Sequence, residues 1–411
     1  MSNPSRATKQ QSALMALIFF ATALNYVDRQ VLALLKPTLQ SEFHWTNSDY
    51  ANLGTTFQLA AMLALIFVGW FVDRFGVRLA YGLAVTVWSI AGIGHAVSRT
   101  IPQFVMARVT LAIAESVNTP AAVKAAAMYM PLTMRSLSLG IVNTAPNIGA
   151  IITPLVIPPI ALAFGWHAAF IVTGGLGFVW LFFWIIGTRK LVVIAPEPSR
   201  GRSGVDWNEV LRDKRTWAVA GSKALTDQVW WFMLFWTPDL FSNVFHLSQA
   251  QIGGPIAVIY TMAALGALTS GLLFPALLRR NMSINGARKT SMMVYACLIL
   301  PIPLALQAES PWSAAALIGL ALFAHQGFST NIFGMTADIV PGGRVGSVMA
   351  IGGIAGNLTG SGIIWMTGRM LDLKIGYWPM FAIAAVAYLV ATLWVHLLLP
   401  VIKPAAVEAT T

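Results

Sequence analysis

The sequence predicts an all-α membrane protein of twelve transmembrane helices in two six-helix halves. Of 411 residues, 57% are apolar and 10% charged, whereas a soluble globule carries about 25% charged residues. The mean hydropathy is +0.70. Apolar stretches long enough to cross a bilayer, roughly 20 residues each, recur along the chain. The longest polar stretch, 188–216, holds Pro196, Pro198, Gly201 and Gly204 and separates the sixth apolar stretch from the seventh. Domains are therefore expected at 1–187 and 217–411, joined by a cytoplasmic linker at 188–216. The end of that linker, Asp206 to Arg215, reads as a short surface helix.

Span one, 12–36, carries Asn25, Tyr26, Asp28 and Arg29 in its middle. It is too long for the apolar core of a secretory signal and opens a series of spans, so a permanent helix is expected. Spans two and three, 51–72 and 79–98, are apolar. Span four, 101–123, holds Arg108 and Glu115. Span five, 137–160, contains Asn143, Pro146, Asn147, Gly149 and Pro154, and span six covers 165–187. Glycine and proline are tolerated in spans where neighbouring groups satisfy the backbone.

Span seven, 217–240, carries Lys223 and Asp227 four apart, a pair along one helix face, followed by Trp230, Trp231 and Trp236 as packing residues or an apolar wall. Spans eight and nine are 251–277 and 291–308; Cys297, in span nine, is the single cysteine, which excludes an internal disulfide. Span ten, 312–335, holds His325, Gln326, Ser329 and Asn331. Span eleven, 346–368, lines up Gly352, Gly353, Gly356, Gly360 and Gly362 around the amide Asn357, and span twelve is 375–399. Small residues there favour close helix packing.

Basic residues set an expected orientation. With a cytoplasmic N-terminus, Arg74, Arg78, Arg135, Arg189, Lys190, Arg279, Arg280, Arg288, Lys289 and Arg344 fall inside, against Lys36, Arg99, Arg369 and Lys374 outside. This positive-inside asymmetry puts both termini in the cytoplasm. The formal charge of +11 then reflects anchoring beside anionic lipid, and no nucleic-acid partner is expected.

Ionisable groups within a membrane usually face a bundle interior or a wet cavity. Counting 1.5 Å per residue places Asp28, Arg29 and Arg108 in one layer and Glu115 deeper. A guanidinium grips a carboxylate through two parallel hydrogen bonds, which makes Arg29 the preferred anchor for an anion. Asp28 is then left to pair with Arg108 or take a proton, and Glu115 is the preferred proton-coupling acid. Candidate partners for substrate hydroxyls are Asn25, Tyr26, Asn147, His325, Gln326, Ser329, Asn331 and Asn357, with Arg108 counted in the binding set. Lys223 and Asp227 are assigned as a structural pair, a substrate contact being the other reading. No nucleotide loop, metal set or Ser-His-Asp arrangement is evident, so neither a cofactor nor an enzymatic activity is expected.

Between spans two and three, Gly69, Asp73, Arg74, Gly76 and Arg78 form G-x-x-x-D-R-x-G-x-R, which resembles the loop signature of the major facilitator superfamily. In that reading Asp73, Arg74 and Arg78 serve gating. Further strings resemble the anion:cation symporter family and its bacterial hexuronate and sugar-acid transporters. They are Asn25-Tyr26-Val27-Asp28-Arg29; Arg108 through Glu115, with Asn118, Pro120 and Lys124; Asn143, Asn147 and Gly149; Lys223, Asp227, Trp230, Trp231, Phe235 and Trp236; and His325-Gln326-Gly327 with Ser329 and Asn331. One departure is visible: Pro275 stands where the second half of the family commonly repeats its loop aspartate.

The resemblance implies the major facilitator fold, Arg29 as anion anchor and proton coupling; the residues alone would also allow sodium. The expected function is import of a small organic anion, a hexuronate or other sugar acid, with protons, by a monomer in the bacterial inner membrane. Transport of another carboxylate, an aromatic acid or dicarboxylate, is the alternative, and a non-transporting receptor fits less well.

Overall fold

A computed structural model of the chain describes residues 9–130, 134, 138, 140–189, 207–341 and 344–402. Among the described residues the protein is helical, without strands. The expected linker falls outside them over 190–206, as do Arg135 and the N-terminal residues 1–8.

The helices of the first half are α1 (Lys9–Phe43), α2 (Asn47–Val97), α3 (Ile101–Glu115), α4 (Asn118–Tyr129), α5 (Ala145–Phe164) and α6 (Trp166–Gly187). A short α7 (Trp207–Arg212) leads into α8 (Lys214–Asn243), α9 (Gly253–Arg279), α10 (Ile284–Ile299), α11 (Pro311–Ile339), α12 (Val345–Asp372) and α13 (Trp378–Leu398). Nine described helical segments are long and apolar enough to cross a membrane. Dividing α2 at its kink, joining α3 to α4, and adding the charge-bearing α8 completes the twelve spans.

Local chemistry sets the boundaries. Spans two and three form one helical run broken at Gly76, whose φ of 73° and ψ of 156° lie where a Cβ is disfavoured. The motif glycine is thus the corner between two spans. Gly165, at φ 82°, likewise separates α5 from α6. At the start of α3 the Gln103 side chain accepts from the backbone N–H of Arg99 and Thr100 (2.7 and 3.2 Å). Asp213, Ser283 and Ser310 cap α8, α10 and α11 by accepting from Arg215, Gly286 and Ser313 N–H groups. A 3-10 turn, Ile302–Gln307, extends α10 beyond Pro301.

Span four departs from the expected continuous helix. After Glu115 the chain tightens: Val117 N–H bonds to Ala114 O at 3.3 Å, an i→i+3 closure, before α4 begins. Span one is longer than expected. It runs to Phe43, so Lys36, counted above among outer loop bases, lies within the helix at 0% exposure.

The chain divides into two compact units. The first comprises Met1–Trp45, Thr56–Arg202 and Ser248–Gly253; the second comprises Thr46–Thr55, Ser203–Leu247 and Gly254–Thr411. In the first, α5 packs closely on α1 because Gly149 has no side chain: a Cβ there would lie 2.5 Å from Ala23 O and 3.1 Å from Tyr26 Cβ. In the second, the first turns of α2 pack on α8 and α12. Tyr50 donates to Phe235 O at 2.8 Å, and the Asp372 carboxylate accepts from the Asn47 and Ser48 N–H groups at 3.0 and 2.9 Å, an acid at a helix N-terminus.

Candidate functional site

In the first unit, α1 and α3 bring the span-one cluster to Glu115. Arg29 Nε lies 2.9 Å from Glu115 Oε2, with the two side chains 14% and 0% exposed. Asn25, one turn away on α1, directs its Nδ2 to Glu115 O at 3.5 Å. The depth count separated Arg29 from Glu115, but the length of an arginine side chain closes that gap. The second oxygen, Glu115 Oε1, is buried with no hydrogen-bond partner among the described residues.

Phe57, from α2, organises the two bases. The guanidinium carbons of Arg29 and Arg108 lie 5.3 and 4.7 Å from its ring centroid, within cation–π range, and Arg29 lies 5.3 Å from the Tyr26 ring. Arg108 also donates to Arg29 O at 3.5 Å. Asp28, 5% exposed, has the Thr173 hydroxyl of α6 beside it and both Arg108 and Glu115 within electrostatic reach. Two guanidinium groups thus meet two carboxylates, and the cluster is neutral with all four ionised.

Phe57, Thr173 and the buried His95 were not singled out from sequence. His95 was visible as a lone ionisable side chain in span three; its Nδ1 donates to Ala91 O (2.7 Å) and its ring stacks on Phe170 at 5.0 Å. A phenylalanine and a threonine in apolar spans carry no comparable signal. Asn147 is 5% exposed on α5. Further along span four, Asn118 joins Thr22 (Nδ2 to Oγ1, 3.2 Å) and the Tyr81 hydroxyl.

The motif residues lie at the corner where α2 kinks at Gly76. Asp73 Oδ1 is 3.0 Å from Lys124 Nζ, which also donates to Val72 O at 3.4 Å. Arg74 and Arg78 are exposed, and Arg78 O accepts from Trp184 Nε1 at 3.0 Å.

In the second unit, Lys223 Nζ lies 2.7 Å from Asp227 Oδ2. His325 Nδ1 meets the Tyr388 hydroxyl at 2.6 Å, under the Trp230 ring at 5.2 Å. Gln326, Ser329 and Asn357 are half-buried. Asn331, 1% exposed, is engaged by the protein itself, donating to Ser270 Oγ (3.1 Å) and Gly327 O (3.2 Å) and accepting from Arg288 (3.3 Å). Arg288 in turn pairs with Asp338 at 2.9 Å over the Phe274 ring, 3.6 Å away. Arg288, beyond the loop in which Pro275 stands, is thus answered by an acid on α11.

A multi-span helical protein with buried ion pairs and half-buried polar groups within its spans is built as a membrane carrier. The chain belongs to the Major Facilitator Superfamily, whose sequence profile matches residues 18–364, and is a multi-pass membrane transporter rather than an enzyme. It is 24% identical over 398 residues to a hexuronate transporter of Escherichia coli K12, covering 92% of each chain. It is 26% identical over 421 residues to a D-galactonate transporter of Escherichia coli O6:H1, covering 96% and 97%. Among solved structures it resembles a bacterial homologue of the human lysosomal transporter Spinster in an inward-facing and occupied conformation (TM-score 0.76, 17% identity, 96% and 97% covered). It also resembles a D-xylose–proton symporter (TM-score 0.69, 15% identity, 93% and 97% covered).

Proposed function

We propose that the protein imports a hexuronate or other sugar acid together with protons across the bacterial inner membrane. In this reading both termini are cytoplasmic, and the halves 1–187 and 217–411, joined by 188–216, are the repeats of a rocking carrier. The hexuronate and galactonate transporters similar to it over nearly their whole length support the substrate class.

The observation that carries the reading is the Arg29–Glu115 pair. An ionised Glu115 occupies the guanidinium that an incoming carboxylate would need. A proton on Glu115 ends that competition, leaving Arg29 to hold the anion while the cluster's charge stays balanced. Asp28, beside Thr173 and Arg108, is the second proton carrier. Asn25, Tyr26 and Asn147 in the first unit, and Gln326, Ser329 and Asn357 in the second, supply neutral hydrogen-bonding groups of the kind sugar hydroxyls require.

The test is uptake by purified protein in liposomes over a panel of glucuronate, galacturonate, aldonates and aromatic acids, under imposed proton and sodium gradients. Accumulation of a sugar acid driven by a pH difference is expected. Accumulation driven by sodium alone, or selective for an aromatic acid, overturns the reading.

A further inference from the structure

On α8 a base, an acid and an indole follow one another at spacings of four, Lys223, Asp227 and Trp231, and so share one side of the helix. Opposite them α12 presents Gly352, Gly356 and Gly360 at the same spacing. A Cβ on Gly352 would come within 2.8 Å of Lys223 Cδ, and Cβ atoms on Gly356 and Gly360 would collide with the Asp227 carboxylate and the Trp231 ring. The glycines form a furrow shaped to this stripe.

A pair that locked helices together would join two of them. Lys223 and Asp227 join none, because they lie on one helix, in the base-before-acid order that contributes least to helix stability. Their side chains retain 11% and 17% exposure, roughly 14 and 20 Å from the start of α8 at 1.5 Å per residue. Ionisable side chains that keep some exposure at that depth are expected to face a wet cavity and not lipid.

Among the described residues, Lys223 is the sole hydrogen-bond or ion-pair partner of Asp227. Phe333 lies 5.4 Å from the ammonium, His325 is within the electrostatic reach of Lys223, and Tyr388 within that of Asp227.

We propose that Lys223 and Asp227 form a hydroxyl-reading subsite that admits sugar acids with one carboxylate and rejects those with two. The inference rests on the sugar-acid reading above. Asp227 accepts from substrate hydroxyls and Lys223 donates to them. The acid also cancels the charge of the base, so a second carboxylate meets no net positive anchor and loses its hydration without compensation. Rejection of the wrong ligand by an uncompensated charge is a recognised source of specificity.

Three proteins in liposomes test this: wild type, Asp227→Asn, and Lys223→Met with Asp227→Leu. Each is challenged with a hexuronate, a hexarate carrying a carboxylate at both ends, and a deoxygenated carboxylic acid of the same length. Asp227→Asn uncovers Lys223 and should improve hexarate uptake relative to hexuronate by about tenfold or more. The double variant replaces a buried pair by apolar groups, a change cores often tolerate. It should fold and still transport, with hexuronate uptake lowered about tenfold relative to that of the deoxygenated acid.

Unchanged relative uptake in an Asp227→Asn protein that melts like wild type overturns the proposal. If that variant does not fold, unchanged hydroxyl discrimination in the double variant overturns it. A wild type that carries another anion and no sugar acid removes the sugar-acid reading, and the subsite with it. A wild type that carries sugar acids beside variants of unaltered selectivity removes the subsite alone.

Discussion

Arg29 and Glu115 share a contact of 2.9 Å, and it engages one carboxylate oxygen while the other is buried without a partner among the described residues. A carboxylate held on one side only has a place for a proton, and in the proposed cycle its release from Arg29 is the coupling step.

Glu115→Gln should therefore abolish uphill, pH-driven uptake and preserve counterflow exchange, because the amide imitates the protonated acid. Both are read from the same liposomes. Uphill accumulation by the variant would remove Glu115 from the coupling step.

Arg29→Ala leaves Glu115 enclosed without its partner base, to stay charged at a cost or to take a proton. Breaking one side of a buried pair costs about 3–5 kcal/mol, so the variant should melt well below wild type in detergent and bind no anion. Adding Glu115→Gln should restore much of the stability but none of the binding. Additive losses of stability would mean that the two side chains are not coupled.

Asp73→Asn removes the partner of Lys124. With side chains 30% and 13% exposed, the pair contributes about 1 kcal/mol or less to stability, and the melting temperature should barely move. The turnover rate should change while substrate affinity, measured by ligand-induced thermal shift, stays constant. A change in affinity alone would place Asp73 in binding and not in gating.

Gly149→Val drives a side chain into Ala23 O and Tyr26 Cβ, 2.5 and 3.1 Å from the first added carbon. Overpacking of this kind costs roughly 1–3 kcal/mol. Because Tyr26 is displaced, affinity for the anion should fall together with stability. Wild-type melting and affinity in this variant would show that α5 has room to retreat from α1.

The spans were legible because twenty-residue apolar runs have few alternatives in a folded chain, and the loop motif was legible down to the glycine that turns the corner at 76. Local winding was less so. Nothing in the string from Glu115 to Asn118 announces an i→i+3 turn, and the apolar character of α1 conceals that Lys36 lies inside a helix running on to Phe43. At the site, the residue types pointed to ion pairing, but which base meets which acid depends on side-chain reach. Axial counting kept Arg29 apart from Glu115, and the ring of Phe57, which gathers both guanidinium groups, carries no polar signal at all.

The tight turn after Glu115 has a mechanical consequence. A 3-10 segment winds about 120° per residue and an α-helix about 100°, so each residue that passes from one winding to the other twists the rest of span four by about 20°. Lys124 lies nine residues beyond Glu115, roughly 13 Å along the axis, and holds Asp73 at the far end. In the proposed cycle the turn would serve as a torsion joint, carrying a change in grip at Glu115 to the Asp73 contact as rotation of α4.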